Sequence, residues 1–346
     1  MTHNKITQRQ CFFLLFLFYI GNLVTASGAK GKQSGWILFL ILGLLSLPVL
    51  YLYTRAAKER SPGTIFVDAL GVPAGVSLTA IYCILAVMLA GDSMRLFTDF
   101  IVINDLNDAG ALGNTALLPL TVFFLLNCSV QSLWKAAWLL QPVTVLFLLL
   151  SVVMTITKMD LQRLLPLFSE KMTVLLKEGL ASFTAGSVAS VLPLFSLNTS
   201  TEKNRFLPAV AANVSACLML AIVTLRDTAV LGFPAVSMFR FPSFTASGMM
   251  RHSEILIAAV FVLSQPFRTA LCLRYAQVCL TEWQPRWKSF YPPILLGLAV
   301  LSGALSWSSE QVRWRTTGEL VITFLFLAGP IAVVIVDAVK ARKAKA

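Results

Sequence analysis

Charged residues are scarce in this sequence of 346 residues. Only 13% of the residues are Asp, Glu, Lys or Arg, whereas soluble globular domains carry about 25%. Hydrophobic residues make up 57% of the chain, and the mean hydropathy is +0.78. This composition excludes a water-soluble domain as the body of the protein.

The sequence also lacks the residue groups on which catalysis depends. Its only two histidines, His3 and His252, lie in the N-terminal tail and at the end of a connection. A Gly-rich phosphate loop, a His-Glu-x-x-His motif and paired carboxylates within an apolar stretch are all missing. We therefore expect no enzymatic activity, no catalytic residues and no cofactor.

The six cysteines do not form a metal-binding or disulfide pattern. None belongs to a Cys-x-x-Cys pair, and all lie in or at the ends of apolar stretches: Cys11, Cys83, Cys128, Cys217, Cys272 and Cys279. This spacing argues against a zinc site and against a disulfide framework. We predict that these cysteines are small packing residues and that the protein has no metal site.

About ten apolar stretches cover nearly the whole chain. A helix that rises 1.5 Å per residue needs roughly 20 apolar residues to cross a hydrocarbon core of about 30 Å. The stretches are Cys11–Ser27, Trp36–Tyr53, Pro73–Phe97, Ala116–Leu133, Trp138–Thr157, Leu180–Leu197, Leu207–Leu225, Ile255–Val278, Phe290–Trp307 and Leu320–Val339. Because backbone groups in lipid must bond within the protein, these stretches predict helices. The expected fold class is an all-α integral membrane protein, with residues 1–346 forming a single transmembrane domain.

Positive charge is spread over many connections, which argues against a nucleic-acid partner despite a net charge of +12. We predict a multi-pass protein of the cell membrane with both termini in the cytoplasm. That orientation places fifteen Lys and Arg residues on the cytoplasmic side and twelve outside. Residues 340–346 then form a basic cytoplasmic tail. An alternative for the N-terminus is a signal peptide, since Lys5 and Arg9 precede an apolar run and the small residues of Thr25–Ala29.

The first and the sixth stretches differ from the others because each carries glycine beside small polar residues in mid-span. The candidate ligand-binding residues there are Gly21, Asn22, Thr25, Phe183, Thr184, Gly186 and Ser187. Either stretch alone fits close packing of helices in lipid. Together they occupy equivalent positions in two repeats of five, about 6–158 and 179–340. Inverted-repeat transporters break helices at such positions and present backbone groups to a substrate near the bilayer midplane.

Arg268 is the strongest single candidate, because it lies well inside the eighth stretch. A charge at mid-membrane costs at least about 2.5–3.5 kcal/mol on insertion scales, so we expect Arg268 to face a partner or a water-filled cavity. The alternative is a tilted helix from which the side chain reaches an interface. Asp92 lies near the outer end of the third stretch, where pairing with Arg95 is the simpler explanation.

Two long connections are predicted on the outer face. Lys158–Gly179 contains an amphipathic segment, Leu161–Phe168, and Thr228–His252 contains Pro234 and Pro242. Each either lies along the membrane surface and covers an outer vestibule or forms a plain surface loop.

Several short motifs resemble those of one membrane protein family. They are Ile6–Leu15 followed by Tyr19-Ile20-Gly21, the segment Arg95–Ile101, the triplet Leu164-Leu165-Pro166 and the segment Phe267–Tyr275, in which Arg268 lies near an intramembrane Lys of the family. In this order and spacing the chain resembles the B subunit of GerA-type spore germination receptors. These endospore germination permeases belong to the amino acid/polyamine/organocation transporter superfamily. One departure is that Gly186 is followed by Ser187, where the family usually carries Glu.

The resemblance implies a LeuT-like fold, a 5+5 inverted repeat with broken helices 1 and 6. It also implies residence in the inner membrane of the spore, together with a receptor A subunit and a lipoprotein C subunit as partners. The ligand of such a subunit is a small-molecule germinant, often an amino acid, whose binding leads to ion release. In LeuT-like folds a sodium ion can lie between the first and eighth spans, so we expect Arg268 to replace that ion or to act in gating.

Three functions are compatible with these observations. The first is a germinant-sensing subunit, in which ligand binding shifts a conformational equilibrium. The second is an active transporter of an amino acid or amine, because a fold does not decide a function. The third is a structural membrane subunit that has lost its ligand site, which the missing Glu in the sixth span makes reasonable.

Overall fold

The computed structural model describes residues 7–21, 32–57, 60–103, 111–165, 188–197, 206–250, 252–305 and 312–343, and these residues contain no β-strand. Their long helices are α2 (Gly35–Ala57), α4 (Val72–Ile103), α6 (Val130–Thr155), α8 (Phe206–Leu231), α11 (Glu254–Trp283) and α13 (Val312–Lys343). Three shorter apolar helices are α1 (Gln8–Ile20), α5 (Ala111–Asn127) and α12 (Tyr291–Leu305). Four short helices complete the set: α3 (Ile65–Leu70), α7 (Val191–Ser196), α9 (Phe233–Met238) and α10 (Pro242–Gly248).

The helices follow the predicted order of spans. The six long helices each contain a segment long and apolar enough to cross a membrane. Helices α1, α5 and α12 occupy the positions of the first, fourth and ninth spans, and α7 lies within the sixth. The all-α, multi-pass architecture that the composition predicts is therefore confirmed.

One predicted boundary is wrong, at the junction of the fourth and fifth spans. Apolar residues continue through this junction, so hydropathy alone places the end of the fourth span at Leu133. In the structure α5 ends at Asn127, and the Ser129 side chain accepts a hydrogen bond from the backbone N–H of Ser132. Serine with an extended backbone is a strong helix N-cap, so α6 begins at Val130.

Helix α1 is short, and lies in the middle of the protein. Thr7 begins it with a capping box, in which its side chain and that of Gln10 satisfy each other's backbone N–H groups. Its 13 residues span only about 20 Å, which is less than the hydrocarbon core of a bilayer. Residues 14–20 are all buried, because α1 packs against α6, α8 and α11 together. The helix ends at Ile20, inside the first predicted span.

Polar contacts join the connection between α2 and α3 to two long helices. The carboxylate of Glu282, on α11, accepts hydrogen bonds of 2.7 Å from the Ser61 hydroxyl and from the backbone N–H of Gly63. Arg60 forms an ion pair of 2.6 Å with Asp337 on α13. These contacts fix the connection between α2 and α3 to the ends of α11 and α13.

The predicted connection Thr228–His252 is mostly helical. Helix α8 continues to Leu231, and α9 and α10 follow it before α11 begins. Helix α10 packs against α6, α8 and α11. Phe241, beside α10, and Phe244, within it, each contact the ring of Phe100 edge to face, with centroids 5.1 and 5.4 Å apart. This segment therefore covers the end of the bundle as a packed element rather than a plain loop.

The predicted amphipathic segment Leu161–Phe168 is described only as far as Leu165. It forms a 3-10 turn over Leu161–Leu164, with the large side chains of Leu161 and Leu165 exposed. Arg163 donates a hydrogen bond to the carbonyl of Val230, which ties this turn to the end of α8.

Candidate ligand site at the end of the first helix

The end of α1 has a backbone carbonyl that is bonded by another helix. A helix ends with carbonyl groups that have no N–H partner within the helix, and they need partners from elsewhere. The N–H of Gly21 still bonds to the carbonyl of Leu17, at 3.0 Å. The carbonyl of Gly21 accepts hydrogen bonds from α11. Because this carbonyl lies in mid-span, the protein has to supply its donors.

Two side chains of α11 supply these donors. Gln265 donates from Nε2 to the carbonyl of Gly21, and Arg268 donates from Nη1 to the same oxygen at 3.4 Å. Residues three apart on a helix lie on one face, so Gln265 and Arg268 reach the same point. Both are buried, with exposed fractions of 0% and 6%.

Close approach of α11 is the reason for glycine at position 21. The backbone of Gly21 has φ −55° and ψ −16°, which any residue can adopt. A Cβ atom there, however, would lie 3.1 Å from both Cβ and Cδ of Arg268 and 3.4 Å from the carbonyl oxygen of Phe18. A larger residue at position 21 would therefore require the Arg268 side chain to shift by a few tenths of an ångström.

No carboxylate of the described residues forms an ion pair with Arg268, although Asp92 on α4 interacts with its guanidinium electrostatically at longer range. The ion pairs in this part of the chain join other groups, and Nε of Arg268 and Oε1 of Gln265 are buried without a hydrogen-bond partner. The C-terminal end of a helix carries about half a negative charge, so α1 offsets part of the guanidinium charge. The site is thus positively charged and has unused hydrogen-bonding groups.

An aromatic cluster lies beside α7, in the part of the sixth span that the structure describes. The ring of Phe195 is within 6.0 to 6.4 Å of those of Phe66, Tyr53 and Tyr275, measured between centroids. All of residues 188–197 are buried, and α7 contacts both α2 and α11. This half of the sixth span is therefore packed as tightly as the first helix.

Of the predicted site residues, the structure brings together Gly21 and Arg268. The other six, Asn22, Thr25, Phe183, Thr184, Gly186 and Ser187, lie outside the described residues. Gln265 is a site residue that sequence reasoning missed. Its position three residues before Arg268, on the same helical face, was the signal that could have identified it.

Near the C-terminal end of α4, Arg95 approaches Asp99, with Nε and Oδ2 3.7 Å apart. Asp99 also pairs with Arg240, which precedes α10. Within the part of the chain that is described, no group of three His, Cys, Asp or Glu side chains converges on a point where a metal ion could bind.

Solved structures with the same architecture are membrane transporters. A crystal structure of MhsT in complex with L-phenylalanine superposes with a TM-score of 0.67 at 14% identity, covering 93% of this chain and 87% of that one. A mutant of the manganese transporter of Eremococcus coleocola gives a TM-score of 0.59 at 12% identity, with 95% and 76% covered. At such identities the likeness shows the fold alone, and that fold is LeuT-like.

Comparison of sequences identifies the family. No curated protein sequence is significantly similar to the chain. The family model described as spore germination protein, the spore permease family, matches residues 5–279. That match covers more than half of the chain, and it agrees with the motifs from Ile6 to Tyr275 and with the LeuT-like fold. The chain therefore belongs to the spore permease family of spore germination proteins.

Proposed function

We propose that this protein is the germinant-sensing membrane subunit of a spore germination receptor, with no catalytic role. It binds a small molecule, an amino acid, near the bilayer midplane, and binding triggers ion release. The observation that carries this proposal is the end of α1, where Gln265 and Arg268 of α11 donate hydrogen bonds to the Gly21 carbonyl. Family membership and the complex of MhsT with L-phenylalanine support the ligand class.

The proposed site contains the two broken spans. Its ligand-binding residues are Gly21, Asn22, Thr25, Phe183, Thr184, Gly186 and Ser187, with Arg268 beside them. Helix α11 donates hydrogen bonds to the Gly21 carbonyl and packs along α4. Helix α1 packs on α11 and also on α6 and α8. A ligand that bonds to the backbone at the end of α1 changes the relation of α1 to α11, and it stabilises whichever arrangement binds it better. By resemblance, the partners that respond to this conformational change are the receptor A subunit and the lipoprotein C subunit, in the inner membrane of the spore.

The test is a pair of matched glycine substitutions in the purified protein in detergent. Gly21→Val places a side chain where a Cβ alone already lies 3.1 Å from Arg268, whereas Gly297→Val, on α12, meets nothing within 4 Å. Thermal unfolding is followed with amino acids, nucleosides and sugars. A ligand at a hundredfold excess over its Kd adds about 2.7 kcal/mol of stability. We expect Gly297→Val to keep this stabilisation and Gly21→Val and Gly186→Leu to lose it. Stabilisation that survives in Gly21→Val would place the ligand elsewhere.

Active transport is the second candidate, because the fold is shared with transporters. Sensing and transport differ in whether the ligand crosses the membrane. Radiolabelled ligand, presented to proteoliposomes under sodium and proton gradients, should bind without accumulating if the protein senses. Accumulation inside the vesicles would establish transport instead. A structural subunit without a site, the third candidate, predicts no stabilisation by any compound.

A further inference from the structure

A groove of about 590 Å³ lies between α4, α12 and the last turns of α11. Its walls are almost entirely apolar, and several of the large side chains that form them are exposed: Ile84, Met88, Leu298, Leu301 and Leu305. These residues belong to membrane spans, where the surrounding medium is hydrocarbon. The groove is therefore open to the bilayer rather than to water.

The length of the groove matches one leaflet of a bilayer. Its wall on α12 extends from Leu295 to Leu305, a rise of about 15 Å, which is half of a hydrocarbon core of about 30 Å. Leu295 lies one helical turn from Tyr291, whose hydroxyl donates a hydrogen bond of 2.9 Å to the carbonyl of Gln284. This end of the groove therefore adjoins the connection between α11 and α12, at the membrane surface.

That connection carries the groups that bind an anionic lipid headgroup. Arg286 and Lys288 are exposed in it, and residues 284–305 contain no Asp or Glu. The exposed rings of Trp287 and Phe290 pack together, with centroids 5.7 Å apart. Aromatic residues at the ends of spans lie at the level of the headgroups, and clustered basic residues attract anionic lipids.

The two acidic residues nearest to the groove do not oppose such a headgroup. Glu282 accepts hydrogen bonds from the Ser61 hydroxyl and from the backbone N–H of Gly63, so its charge is held at the connection between α2 and α3. Asp92 lines the opposite end of the groove, about 13 Å along α4 from Cys83, and interacts electrostatically with Arg268. Arg286 and Lys288 therefore set the charge at the surface end of the groove.

We propose that this groove binds one anionic phospholipid, with an acyl chain between α4 and α12 and the phosphate at Arg286 and Lys288. This inference goes beyond the proposed function, because the occupant is a lipid of the membrane and not the sensed small molecule. The chain contacts both α4 and α12, so a bound lipid holds these two helices together and stabilises the protein.

The test compares dioleoylphosphatidylglycerol with dioleoylphosphatidylcholine, which has the same chains and no net charge. Each lipid is titrated into the full chain in detergent, and native mass spectrometry counts the bound molecules while thermal unfolding measures stabilisation. Arg286→Gln with Lys288→Gln removes the proposed headgroup contacts. Its control is Arg342→Gln with Lys343→Gln, which removes two exposed charges from the end of α13.

A second pair of variants tests the acyl chain. Leu301→Trp and Ile84→Trp each place a larger side chain in the groove, whereas Leu44→Trp enlarges an exposed residue of α2 away from it. Thermal unfolding without added lipid shows that each variant is folded. We expect the two groove variants to retain less of either lipid than the wild type, and Leu44→Trp to retain as much.

The wild type should retain one phosphatidylglycerol and prefer it to phosphatidylcholine by roughly 30-fold, since each basic residue near the surface contributes about tenfold or slightly less. Arg286→Gln with Lys288→Gln should lose this preference, and the control with Arg342→Gln should keep it.

Three results would overturn the inference. Equal retention of the two lipids by the wild type would show that the groove does not select charge. A preference that survives in Arg286→Gln with Lys288→Gln, or full retention in both groove variants, would place the lipid elsewhere. Retention of neither lipid by folded wild type would leave the groove to a helix of a partner protein. The sensing function stands or falls separately, because the stabilisation by amino acids is measured without these lipids.

Discussion

Arg226 and Asp227 are adjacent in sequence, and their charged groups meet 2.7 Å apart inside the protein. Arg226 is completely buried and Asp227 nearly so. The pair also holds α10, because Arg226 donates to the Ser247 hydroxyl at 2.7 Å and to the Ser243 carbonyl at 3.3 Å. The Ser243 hydroxyl in turn donates to the Asp227 carboxylate. The end of α8 and the covering helix α10 are thus joined by one buried polar cluster.

Replacing one member of this pair should lower the free energy of unfolding far more than replacing both. Asp227→Asn leaves the Arg226 charge buried without its partner, and we expect it to lower the free energy of unfolding by about 3 to 5 kcal/mol. The double variant Arg226→Met with Asp227→Leu should recover most of that loss. Urea unfolding in detergent measures both. Arg240→Ala is the control, because Arg240 pairs with Asp99 at the surface. This substitution should lower the free energy of unfolding by about 1 kcal/mol or less. Equal losses in the single and double variants would contradict this account.

The contact between α4 and α12 depends on two glycines. A Cβ atom on Gly91 would lie 2.7 Å from the carbonyl oxygen of Ala299 and 2.8 Å from the backbone N–H nitrogen of Gly303. Gly91→Leu should therefore force the two helices apart and destabilise the protein by about 1 to 3 kcal/mol or more. Gly297→Leu, which faces open space on α12, should have little effect. The measurement is the thermal unfolding midpoint of each variant in detergent. Similar midpoints for the two variants would argue against close packing of α4 and α12 at Gly91.

The response to ligand should not depend on sodium. Arg268 supplies a fixed positive charge beside the Gly21 carbonyl, between the first and eighth spans. Arginine does not lose its proton in proteins, so this charge can stand in for an ion but cannot carry a proton. We expect the same ligand-induced stabilisation when sodium is replaced by N-methylglucamine at constant ionic strength. Loss of that stabilisation in sodium-free buffer would show that a sodium site operates despite Arg268.

Both termini should lie in the cytoplasm. Helix α13 ends with Lys340, Arg342 and Lys343, and basic residues near the ends of spans favour the cytoplasmic side. A fluorescent protein that folds only in the cytoplasm, fused to either terminus, should be bright. Fusions of alkaline phosphatase to the same positions should be inactive. Active phosphatase at either terminus would reverse the orientation of the helices.

The sequence predicts the order of the helices well because lipid imposes a simple rule on composition. It predicts their ends less well, as the pair Arg226 and Asp227 shows. Hydropathy ends the seventh span at Leu225, since two adjacent charges resemble a solvated connection. In the structure the helix continues to Leu231, because these charges neutralise each other and bond to Ser243 and Ser247. A neutral buried pair cannot be distinguished from two exposed charges by composition.

The candidate site was predictable only in part, for a similar reason. Gly21 stands out beside small polar residues, and Arg268 stands out as a charge in an apolar span. That the two meet could not be deduced, because 247 positions separate them and the contact depends on how α1 crosses α11. Gln265 was overlooked because a single amide in a membrane helix has many uses, and only the contact with the Gly21 carbonyl selects one.

The carbonyl of Gly21 has a consequence for how α1 can change. If α1 continued by one more turn, this oxygen would accept from the backbone N–H of residue 25, as in any α-helix. Gln265 and Arg268 already supply donors for both lone pairs of this oxygen, so that N–H would have to displace one of them. Lengthening α1 and attaching it to α11 are therefore alternatives, and whatever withdraws the two side chains favours a longer helix. One oxygen atom thus couples the length of the first helix to its attachment.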